Sequence, residues 1–115
     1  NFDMAALERA EAVALGSPNY YSYVSGRLKT FFDLAYRNAA FKDKPFAAFA
    51  THGGGGGISS LIEKLAGWLG MARAAEGIDI VRVPSDDDLA RCRRMGNQLG
   101  RAAVGGSADG GQSHE

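Results

Sequence analysis

Two stretches gather the residues able to do chemistry. SPNYYSY (17–23) sets Ser17, Asn19 and Ser22 among Tyr20, Tyr21 and Tyr23, behind Pro18. THGGGGG (51–57) puts Thr51 and His52 ahead of a run of five glycines that begins with Gly53 and Gly54. The first can offer main-chain donors and acceptors to a flat heterocycle while a tyrosine stacks on its face. The same tyrosines can instead pack against neighbouring helices or a second subunit, and the residues alone leave the two readings level. Pro18 gives the loop a rigid, extended start. The glycine run offers backbone N–H groups that a planar ligand can approach closely, or is simply a connector.

Other chemistries fit less well. The glycines are not a nucleotide fingerprint: no lysine follows at the G-x-x-x-x-G-K-[ST] position, and Ile58 and Ser59 fall where G-x-G-x-x-G needs its last glycine. His52 can hydrogen-bond a ligand carbonyl or relay a proton near neutral pH. A lone histidine without nearby Cys, His or paired carboxylates is poor evidence for a metal. No Ser–His–Asp, Cys–His or carboxylate pair can be argued from spacing, so any catalysis is expected to belong to a bound cofactor. Cys92, the single cysteine, excludes an internal disulfide, a C-x-x-C pair and an iron–sulfur cage, and fits a reducing cytoplasm.

The elements that must position these loops follow from the pattern around them. With 13 basic and 13 acidic residues in 115, one domain is expected, without the charge for a nucleic-acid grip. No apolar run approaches the roughly 18–20 residues that span a bilayer, and no secretory signal is visible, so a soluble protein is expected. AVAL (12–15) reads as a strand buried on both faces. Beyond the tyrosine loop, Val24, Leu28, Phe31, Phe32 and Ala35 recur at helical spacing. PFAAFAT (45–51) is a second strand, and Ile58, Leu61, Ile62, Leu65 and Leu69 a second helical face with Trp68 beside it and Gly70 as its stop. GIDIVRVP (77–84) alternates imperfectly, as a strand near an edge would.

Ser85 is the N-cap of a last helix, with Asp86, Asp87 and Asp88 in its first turn and Leu89, Cys92, Gly96, Leu99 and Ala103 as its inward face. Its arginines read as a solvated face. Residues 1–104 form the domain, and 105–115 have too little apolar content to pack and are expected to be a disordered tail. Three strand–helix repeats predict a layered α/β sheet of parallel strands with right-handed crossovers. Ligands of such sheets bind beyond the carboxyl ends of the strands, where both unusual loops lie.

AVALGSPNYYSYVSGRLKTFFD resembles the third-strand segment of flavodoxin-like FMN proteins, in particular the NAD(P)H-dependent FMN reductase and quinone reductase branch. The shared pattern is G-S/T-P-x-Y and then G-x-L-K-x-F-x-D, met here by Gly16, Ser17, Pro18, Tyr20, Gly26, Leu28, Lys29, Phe31 and Asp33 or Phe32. KPFAAFATHGGGGG and PSDDDLARCRRMGNQLG resemble the fourth strand with its glycine loop and the last helix, so that the likeness spans nearly all of residues 1–104. The resemblance implies a three-layer α/β sandwich around a parallel sheet, here mainly strands 3, 4 and 5. It implies FMN held by Ser17, Pro18, Asn19, Tyr20, Tyr21 and Ser22 on one side and by Thr51, His52, Gly53 and Gly54 on the other.

NAD(P)H would be the co-substrate and a quinone, flavin or similar small molecule the electron acceptor. A single-electron flavodoxin carrier, or an interaction module that no longer binds FMN, are the rival expectations. The family's first strand and phosphate loop do not precede Asn1 in the sequence as given. A fragment is therefore expected, or a homo-oligomer that covers the edge left by that strand.

Overall fold

The computed structural model describes residues 3–18, 24–52 and 57–108, with the backbone alone for His52 and residues 105–108. Asn19 to Tyr23, Gly53 to Gly56 and 109–115 lie outside the described residues. Element order is α1 (Met4–Arg9), β1 (Val13–Pro18), α2 (Gly26–Ala35), a 3₁₀ turn (Ala39–Phe41), β2 (Pro45–His52), α3 (Ile58–Trp68), β3 (Ala72–Arg73), β4 (Ile78–Val81) and α4 (Asp86–Ala108). Every strand pairing is parallel: β1 runs beside β2, and β3 and β4 lie one after the other along β2. The expected α/β three-layer, flavodoxin-like sandwich is the observed architecture.

One face of the sheet carries the main core. Val13 and Leu15 of β1, with Phe46, Ala48 and Ala50 of β2, meet Val24, Leu28, Phe31, Phe32, Ala35, Ile58 and Ile62. The helical stripes read from the sequence at 24–35 and 58–69 are thus the faces turned inward, and Leu61, Leu65 and Leu69 pack partly against the cluster. The other face is smaller: Ala47, Ile78 and Ile80 are buried outside that cluster, with α4 packed on β2 and β4.

Beyond α4 this second face is open over β1, where Ala14 and Pro18 are exposed. The expected burial of the first strand on both faces therefore holds for one face only. Among the described residues no helix lies over its other side, and β1 pairs only with β2. Gly16 faces this open side, and a Cβ there would sit 2.1 Å from the Phe49 ring of the paired residue on β2. Any side chain here would have to push that ring aside, because the ring occupies the volume of the missing Cβ.

Local signals account for most element ends. Gly70, at φ 83, closes α3 with a Schellman pattern: the Met71 N–H donates to the Ala66 carbonyl at 3.2 Å and the Gly70 N–H to Gly67 at 3.0 Å. Lys44 is a buried lysine that crosses from the start of β2 to the end of α1. Its Nζ donates to the carbonyls of Leu7 at 2.7 Å and Glu8 at 2.9 Å, satisfying the last turn of that helix. Burial lowers its pKa below the ordinary lysine value, against the opposing pull of Glu8. Helix α1 was not foreseen: it is six residues long and buries none of them fully, with Met4 and Leu7 resting only partly against the core.

Helix α4 departs from expectation in two places. Leu89 is 45% exposed, and Gly96 is exposed with nothing near a Cβ built on it, so neither belongs to an inward face. Cys92, Leu99 and Ala103 are half-buried. The helix runs on to Ala108. Trp68 lies at the surface, 67% exposed, under the ammonium of Lys64.

The start of α4 is a reciprocal capping box. The Asp88 N–H donates to Ser85 Oγ and the Ser85 N–H to Asp88 Oδ2, each at 3.0 Å. The Ser85 backbone donor, then its hydroxyl partner and Arg91, hold the Asp88 carboxyl below the usual carboxylate range. A depressed carboxylate stabilises the fold above its unfolded-state pKa, and that contribution is lost as the pH falls through the folded value. Asp88→Asn should therefore be less stable than the parent at neutral pH and converge with it on acidification. Urea midpoints followed from pH 7 downward check this, and parallel curves would refute it.

Candidate functional site

The carboxyl ends of β1, β2 and β4 form one rim, because all three strands are parallel and in register. Pro18, Thr51 and Ile80 make a row across it, and His52 pairs with Val81 at the end of β2. The tyrosine-rich and glycine-rich loops thus leave the sheet from adjacent positions on neighbouring strands, about 4.8 Å apart. Pro18 and Thr51 are exposed there, and Ser17 is buried. Of the ten residues expected at the site, these three are described with side chains and His52 by its backbone. Asn19, Tyr20, Tyr21, Ser22, Gly53 and Gly54 lie outside the described residues.

One step below the rim is a second row, Ser17, Ala50 and Asp79, on the sheet face that carries the main core. Ala50 is fully buried, and the polar residues on either side each hold a neighbouring segment. Ser17 Oγ donates to the Pro18 carbonyl at 2.7 Å and accepts from the Ser25 N–H at 2.8 Å. Ser25 is in turn the N-cap of α2, its Oγ accepting from the Leu28 N–H at 3.2 Å. The two ends of the tyrosine loop are therefore joined through one buried hydroxyl, and Val24, 4% exposed, is anchored in the core beside them.

Asp79 does the corresponding work for the glycine loop. Helix α3 starts from Gly57 at φ 80, which has no side chain to cap it. Asp79 reaches across from β4 instead: Oδ1 accepts from the Ser59 N–H at 3.1 Å and Oδ2 from the buried Ser59 hydroxyl at 2.6 Å. The carboxylate both satisfies a first-turn donor and complements the positive end of the helix. Sequence reasoning missed Asp79, Ser25 and Ser59. An acid inside an otherwise apolar strand was the available signal for Asp79, and a serine directly before a helical stripe was the signal for Ser25.

The rim is uncharged among the described side chains that form it, presenting the Thr51 hydroxyl and the Pro18 ring. Such a surface suits a flat, hydrogen-bonding heterocycle. It is not an anion cradle of the kind a free helix N-terminus offers, because Asp79 already sits against the first turn of α3. Among the described residues no group of His, Cys, Asp and Glu could hold a metal ion, and no helix is long and apolar enough to cross a membrane.

Residues 4–85 match the family described as NADPH-dependent FMN reductase. Among solved structures, a flavodoxin from the domain Archaea is similar over 90% of this chain and 73% of its own, at 28% identity and a TM-score of 0.80. A WrbA-like flavodoxin protein from Agrobacterium tumefaciens matches at 25% identity and TM-score 0.71, over 88% of this chain and 71% of its own. Rubredoxin oxygen:oxidoreductase from Desulfovibrio gigas shares the fold over 83% of this chain but only 23% of its own, at 21% identity and TM-score 0.71. With a flavodoxin-like sheet and a match over most of its length, the chain belongs to the NADPH-dependent FMN reductase family.

Proposed function

We propose that this chain forms part of an FMN-dependent oxidoreductase that takes hydride from NAD(P)H and delivers it to a quinone, a free flavin or a similar small acceptor. The observation that carries this most directly is the departure of the tyrosine and glycine loops from register-paired residues Pro18 and Thr51 at one end of the sheet. Family membership and the flavodoxin-like neighbours support an FMN-binding redox protein. When bound, the flavin supplies the hydride chemistry, so no side chain need act as a nucleophile.

In this reading the chain's work is placement. Pro18 and Thr51 border the ring from neighbouring strands, with the Thr51 hydroxyl as a donor or acceptor for ring polar atoms, and Tyr20, Tyr21, His52 and the first glycines are the further proposed contacts. Ser17 and Asp79 hold the loop ends from below. The phosphate of the nucleotide is not assigned to α3, whose first turn Asp79 occupies. A second copy of the chain alongside β1 and a reducing cytoplasmic setting are part of the same proposal.

The test is direct. Purified chain titrated into FMN should quench flavin fluorescence, and the bound flavin should bleach anaerobically on adding NADPH. A chain that leaves FMN emission unchanged does not hold flavin. The archaeal flavodoxin match, at TM-score 0.80, favours one second reading, a one-electron carrier. Binding of FMN with negligible NAD(P)H turnover but rapid exchange with a redox partner would establish it instead.

A further inference from the structure

We infer that Ser17 is a positioning residue for the site, a latch that sets the separation of the two ends of the tyrosine loop without itself reaching the ligand. This rests on the flavin reading given above. A serine at the end of a strand that leads into a binding loop invites assignment as a direct ligand contact. Its surroundings point elsewhere: the side chain turns into the core, the residue is 5% exposed, and its single proton goes to the Pro18 carbonyl. Its oxygen takes the Ser25 N–H, eight residues further along the chain.

One hydroxyl thus ties together the last residue of β1 and the cap of α2, so that Pro18 and the first turn of α2 keep a fixed distance. Loss of the hydroxyl leaves the Ser25 N–H and the Pro18 carbonyl without that partner in a part-buried place, where an unmet polar group is costly. Pro18 and Ser25 then sample a wider range of separations, and a ligand that binds at this rim must fix them on binding. The expected effect is on affinity, with the fold retained.

Ser17→Ala should weaken FMN binding about tenfold, the scale of one lost buried hydrogen-bond connection. Ser17→Thr, which keeps the hydroxyl and suits a strand, should recover most of it. Hydrogen exchange at the Ser25 amide supplies a readout independent of flavin, and it should quicken in Ser17→Ala and stay slow in Ser17→Thr. Asn38→Ala, which removes the cap of the 3₁₀ turn leading into the opposite, amino end of β2, is the control for a general loss of stability and should leave FMN affinity unchanged.

Unaltered Ser25 exchange in Ser17→Ala overturns the latch whatever happens to flavin. Faster exchange with unchanged FMN affinity overturns its role in the site while leaving the flavin reading intact. If the parent chain does not bind FMN, the flavin reading fails and with it the positioning role.

Discussion

Phe41→Ala is expected to lower folding stability by about 3–5 kcal/mol, the range for emptying a fully buried aromatic site. Phe41 has no exposed surface and sits in the 3₁₀ turn that joins α2 to β2. Its ring meets Phe31 edge to face at 5.3 Å and 89°, and Phe31 meets Phe32 at 5.3 Å and 61°. On its other side the Lys44 ammonium lies 4.9 Å from the ring centre. Truncation therefore removes one end of an aromatic run centred on Phe31 and also the ring beneath a buried cation that holds the end of α1. Phe41→Leu, which keeps most of the volume, should cost clearly less. Urea unfolding with an unchanged m-value is the measurement, and a loss near that of an ordinary surface substitution would show that the stack is not what holds α2 to the sheet.

Asp79→Ala should cost about 2–3 kcal/mol, more than an ordinary lost hydrogen bond, because the partner groups are left behind. The Ser59 N–H and its buried hydroxyl both lose their acceptor, and α3 loses the negative charge at its N-terminus. Gly57 offers no side chain to take over. Asp79→Asn retains one acceptor and should fall between parent and Ala. Thermal unfolding ranks the three, and hydrogen exchange at Ser59 shows where the loss arises. An Asp79→Ala protein with parental exchange at Ser59 would falsify the assignment of that carboxylate as the remote cap of α3.

The layered α/β fold was legible because its elements are marked by strong local signals. Phe31, Phe32 and Ala35, or Ile58 and Ile62, fall on one helical face whatever surrounds them, and Gly70 and Ser85 end or begin helices by backbone chemistry alone. What the sequence could not display is pairing between distant residues. Whether Ala14 is covered depends on how far α4 extends sideways, and Gly96 falls on the same helical stripe as Cys92 although no neighbouring element reaches it. The two-residue β3, which no apolar run marks in the sequence, exists only through its register against β2, and the strand expected at 77–84 is paired only over Ile78–Val81. At the site, sequence type marked out the loops, but the hold on them by Ser17 through Ser25 and by Asp79 through Ser59 exists only once three strands stand side by side.

The contact between Gly16 and the Phe49 ring carries an evolutionary consequence. The two residues lie far apart in sequence yet share one volume, so neither position can be scored for tolerance alone. A side chain at residue 16 fits only if the ring of residue 49 turns aside or is smaller, so substitutions at the two positions are expected to be coupled. The glycine of the G-S-P segment thus answers to its neighbour strand as well as to the loop it precedes.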